Sequence, residues 1–79
     1  MNLITFFVAL GNIAPRYNAR TCWDPRSRRG TLTLPACVGP GSVGVLAKSL
    51  ADEVEIFVGV PPHCVEVAGA KVTVTCPAE

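Results

Sequence analysis

Four cysteines and one histidine carry most of the reactive chemistry in this chain: Cys22, Cys37, Cys64, Cys76 and His63. An even cysteine count in only 79 residues reads first as a disulfide framework. A Cys22–Cys37 bridge would close a loop around an arginine-rich turn and contribute about 3 kcal/mol in the chain-entropy model. Zinc is disfavoured by spacing, because no Cys-x-x-Cys pair is present and adjacent His63 and Cys64 point to opposite sides of an extended chain. A Cys–His nucleophile pair meets the same objection and has no evident orienting acid. Asp52, Glu53 and Glu55 cluster where a helix is expected to pass into a strand, which reads as a solvated edge rather than an acid/base pair. GPGSVG lacks the Gly-Lys-Ser/Thr ending of a phosphate loop. The expectation is no enzyme, no metal and no cofactor.

Arginine is the second source of chemistry. RYNARTCWDPRSRR places Arg16, Arg20, Arg26, Arg28 and Arg29 beside Tyr17 and Trp23, a set able to contact phosphates and stack on bases. The same arm could clasp an acidic protein surface with Trp23 as its buried anchor. The clasp is preferred, since no RNP-like strand, helix-turn-helix or zinc finger accompanies the arginines and the net charge is only +1. Charge is unevenly placed: residues 1–30 hold five arginines against Asp24, a balance of +4, whereas residues 31–79 hold two lysines against five acids, a balance of −3. Such polarity suits head-to-tail contact between copies.

These groups must be positioned by a small set of elements. LITFFVAL at 3–10 has apolar residues on both faces of an extended chain and is expected to be a strand buried on both sides, with helix as the weaker alternative. It lacks the leading Lys or Arg of a signal peptide and falls well short of the roughly 20 residues that cross a bilayer, so it is read as part of the fold. Residues 11–30 are rich in turn formers and are expected to be an irregular arm. TLTLP at 31–35 alternates, with Leu32 and Leu34 inward, and VGPGSVG at 38–44 breaks the chain. Helical spacing of Val43, Leu46, Ala47, Leu50 and Val54 predicts a short helix over 43–52 with Ser42 as its cap. EVEIFVGV then reads as the clearest strand, ending at Pro61-Pro62. In HCVEVAGAKVTVTC a two-residue turn at Gly69-Ala70 pairs Val67 with Val72, Val65 with Val74 and Glu66 with Thr73. That register puts Cys64 on the polar face and Cys76 on the valine face, so a bridge between them would need a bulge.

The fold class expected is mainly β: one domain over 1–79, a small sandwich or barrel-like sheet with one short helix and an arm at about 11–30. A chain this short buries only about 60–65% of its unfolded surface, so cross-links or neighbours are expected to complete it. With 49% hydrophobic and 16% charged residues, the function expected is a structural or assembly component of a larger particle, such as a virion accessory or decoration protein. Its partners would be other protein subunits, including copies of itself, met through Leu3, Ile4, Phe6, Phe7, Val8 and Trp23. The alternatives are a secreted disulfide-stabilised binding module and a nucleic-acid-binding accessory protein, in both of which the five arginines meet an anionic partner. An oxidising setting, extracellular or virion-associated, and no membrane span complete the expectation.

Overall fold

Asn2 begins the first regular element by accepting the free N–H groups of Ile4 and Thr5 on its side-chain oxygen, at 2.8 and 3.3 Å. Helix α1 follows over Leu3–Ile13 and buries Phe6, Leu10 and Ile13, spaced four and three residues apart on one face. This corrects the buried strand expected there. Exposed Ile4 and Val8 fall in step with Phe6 and Leu10 in an extended reading, and the β-branched and aromatic residues add to it, so alternation competes with helix in the sequence. Pro15 ends the regular bonding; the chain tightens into one 3₁₀ turn, Ala14–Tyr17, and leaves it through Asn18 in the left-handed region at φ 54°.

The computed structural model describes residues 1–37 and 39–78; Val38, at the start of the expected break, and Glu79, one of the counted acids, lie outside the described residues. The expected irregular arm is largely ordered as β1 (Arg20–Asp24), paired antiparallel with β2 (Arg29–Thr33) so that Cys22 faces Thr31 and Trp23 faces Gly30. Of the turn formers over 11–30, only those at 25–28 form the turn between these strands. Asp24 Oδ1 accepts the backbone N–H groups of Arg26 at 3.1 Å and Ser27 at 3.5 Å, while Arg28 adopts φ 58°.

Helix α2 (Pro40–Glu53) starts earlier than its apolar spacing implies, with Gly39 rather than Ser42 at the cap and Pro40 in the first turn. It does not stop at a strand. EVEIFVGV continues as one wide π turn, Val54–Val58, that buries Val54 and Val58 and ends at Gly59, φ 81°. The strand expected over 54–60 is thus overturned: β-branched residues suggested extension, but Val54 and Val58 also sit four apart and extend the buried face of α2. After a 3₁₀ turn at Pro62–Cys64, β3 (Val65–Ala68) and β4 (Lys71–Thr75) form the expected hairpin with the expected register, Val65 to Val74, Glu66 to Thr73 and Val67 to Val72, and Gly69 supplies φ 59° in its turn.

The sheet is entirely antiparallel in the order β1-β2-β4-β3, and α2 carries the chain from β2 over to β3, leaving room for β4 between them. Leu32, Val72 and Val74 point to the helices and are fully buried with Phe6, Leu10, Leu50 and Val54. Close approach of α1 to the sheet requires Gly30, where a Cβ would lie 2.5 Å from Leu10 Cδ1 and 3.2 Å from the Trp23 ring. The opposite face, with Arg20, Cys22, Arg29, Thr31, Glu66 and Thr73, has no buried residue. A four-stranded sheet carrying two helices is a small α/β fold, not a mainly β sandwich or barrel with one short helix.

The expected disulfides are corrected as well: Cys22, Cys37, Cys64 and Cys76 are all free thiols. Cys22 sits mid-strand on the open face, whereas Cys37 lies beyond the far end of β2; Cys64 and Cys76 occupy opposite faces, as the hairpin register dictates. The accessible surface, 4775 Å², is close to the ~4,600 Å² of a folded monomer of this mass, so the core is closed without cross-links. With the thiols unpaired, the cross-links expected to complete the core are absent.

Candidate functional site

The outer face of α1 is built by the same helix that closes the core. Phe6 is 0% exposed, but Ile4 and Val8, one turn apart, are 74% and 58% exposed. Leu3 and Phe7 are half-buried at the border, and Phe7 meets the Trp23 ring at a centroid distance of 4.9 Å. Of the six interface candidates, Phe6 therefore belongs to the core, and Ile4, Val8 and partly Trp23 face outward. No charged side chain occurs between Met1 and Pro15. A second exposed apolar pair, Ile56 and Phe57, is displayed by the π turn. The strand reading of 54–60 hid it, and the four-residue spacing of Val54 and Val58 is the signal that reveals it.

The five arginines do not form one patch. Arg16 Nη1 lies 3.4 Å from Glu53 Oε2, and its guanidinium stands 5.8 Å from the Phe57 ring centroid. Arg28 turns inward: its Nη2 donates to Met1 O at 3.0 Å, Pro77 O at 3.2 Å and Cys76 Sγ at 3.1 Å, tying the two ends of the chain to the β1–β2 turn. Arg20, Arg26 and Arg29 remain exposed. Trp23 sits on the helix side of the sheet and Arg20 and Arg29 on the other, while the Tyr17 hydroxyl donates to Glu53 Oε1 at 3.5 Å. The arginines and aromatics that were grouped in sequence are thus parted in space.

Tyr17 is pushed above its usual value of 10.0, first by burial and then by the neighbouring Glu53 carboxylate. In the unfolded chain the phenol ionises first, so the stability held below pH 10.0 is lost as pH rises towards the folded-state value. Tyr17→Phe is expected to remove that alkaline loss, read as a smaller drop in melting temperature across pH 10.0 than in the parent chain. Asp24 is held below the usual carboxylate value by hydrogen bonding with Ser27, with Arg26 N–H adding to it.

On the open face, a cleft of about 300 Å³ is lined by Arg29, His63, Cys64, Glu66, Thr73 and Thr75. Pairing brings these residues together: Arg29 lies across from Thr75, and Glu66 across from Thr73. The hairpin half was legible in sequence. The arrival of Arg29 depends on β2 pairing with β4 and was not. Among the described residues, no three His, Cys, Asp or Glu side chains converge as a metal site, and no helix is long and apolar enough to cross a membrane. Compared with known proteins, the chain matches no family model, no curated protein and no solved structure.

Proposed function

We propose that this chain is an assembly subunit that works by protein–protein contact, docking the outer face of α1 against the same face of a second copy. The observation that carries this reading is the exposure of Ile4 and Val8, 74% and 58%, on a helix whose inner face is already fully used. Ile4 and Val8 form an exposed apolar strip between the polar Thr5 and Asn12, and apolar surface of this kind with a polar rim marks a contact site. Two copies meeting about a twofold axis bring identical patches together, and no charged side chain between Met1 and Pro15 adds like-charge repulsion. Phe7 and Trp23 at the border extend the apolar area. Charge polarity favours head-to-tail contact less in the fold, because Glu53 is taken up by Arg16 and Asp52 by Lys48, 3.5 Å away. No reaction is assigned to the chain.

Ile4→Glu and Val8→Glu test the proposal separately. Each places a charge in the contact and is expected to weaken self-association by about tenfold or more, a loss of about 1.4 kcal/mol, while far-UV circular dichroism stays unchanged. Sedimentation equilibrium measures it, and equal association of the variants and parent would refute the contact.

A further inference from the structure

We propose that the open-face cleft binds a small zwitterion of the α-amino-acid type, with its carboxylate on Arg29 and its ammonium on Glu66. The cleft lies on the side of the sheet away from α1, so the proposal is independent of self-docking. Its floor is β4, whose Thr73 and Thr75 side chains project from the same face, two residues or about 7 Å apart along the strand. Arg29 stands on the strand to one side of β4 and Glu66 on the strand to the other, separated laterally by about 10 Å. Both side chains line the same space and neither reaches salt-bridge distance among the described residues, although Asp24 stands across from Arg29 on β1 outside the cleft lining.

That arrangement selects by charge. A plain anion gains from Arg29 but is repelled by Glu66, and a plain cation meets the reverse. A ligand with both charges satisfies both walls, with the guanidinium fork accepting a carboxylate in two parallel hydrogen bonds. The threonine hydroxyls donate to one end and accept from the other. A volume of about 300 Å³ suits a free amino acid or a ligand of similar size and is too small for a dinucleotide. His63 and Cys64 close the side next to β3. Because the cleft is open to water, the affinity expected is of millimolar order.

The test is an amide NMR titration of the full chain with L-alanine, acetate and ethylammonium in turn. L-alanine is expected to give saturable shifts at Arg29, Cys64, Glu66, Thr73 and Thr75, and to bind at least tenfold more tightly than either single-charge probe. Arg29→Gln and Glu66→Gln should each weaken L-alanine binding about tenfold, and the rest of the spectrum reports whether the fold is kept. No saturable shift with L-alanine overturns the proposal. So does acetate binding as tightly as L-alanine, which would make the cleft a plain anion site, and this comparison on the parent chain does not depend on any variant folding.

Discussion

Phe6→Ala is expected to destabilise the chain by about 3–5 kcal/mol, whereas Ile4→Ala, two residues away, should change stability by less than about 0.5 kcal/mol in the monomer. Phe6 has no exposed surface and packs among Leu10, Leu32 and Leu50, so its removal leaves a cavity as well as losing apolar burial. A chain of this length has a total stability of about 4–12 kcal/mol, which puts the Phe6 variant at the edge of folding. Urea denaturation of dilute protein measures the pair. The contrast also tests the secondary structure, because an extended segment would place residues 4, 6 and 8 on one face and make the two losses equal, while a helix sends Phe6 inward and leaves Ile4 outside.

Arg28→Ala is expected to cost about 2–3 kcal/mol, the scale of charge-assisted hydrogen bonds to partly buried partners. One nitrogen of this side chain serves Met1 O, Pro77 O and Cys76 Sγ, and the only other donor within reach of the two carbonyls among the described residues is the weak Cys76 thiol, at 3.6 and 3.7 Å. Alanine keeps the Cβ that makes φ 58° unfavourable, so the backbone cost is common to both chains and the difference reports the side chain. Faster amide exchange at Ile4 and Cys76 should accompany the loss, because the N-terminus of α1 and the end of β4 are held at this junction. A change below about 0.5 kcal/mol would mean that the termini are held by something else.

Local pairing was well marked in the sequence and long-range choice was not. The β3–β4 register followed from Gly69-Ala70 and the valine alternation alone, and it fixed the opposite placement of Cys64 and Cys76. The inward Leu32 and Leu34 were legible for the same reason. LITFFVALGNI failed because its β-branched and aromatic residues weigh towards strand, although Phe6, Leu10 and Ile13 fall at helical spacing and Asn2 is a suitable cap. EVEIFVGV failed because β-branched residues weigh towards strand, while burial of Val54 and Val58 against α1 and the sheet decided for a helical turn. The disulfide expectation failed on faces: cysteine parity counts thiols but says nothing of where a sheet sends them. Of the candidate sites, Ile4 and Val8 were among six residues named from sequence with nothing to separate them from the buried Phe6, whereas the cleft needed β2 to arrive beside β4.

The self-docking of α1 is tested most directly by the mass of the unmodified chain in light scattering across a dilution series. A dimer of twice 8.3 kDa that falls towards 8.3 kDa on dilution is the expected result. A mass of 8.3 kDa at every concentration, with Ile4 and Val8 still open to solvent, would contradict it.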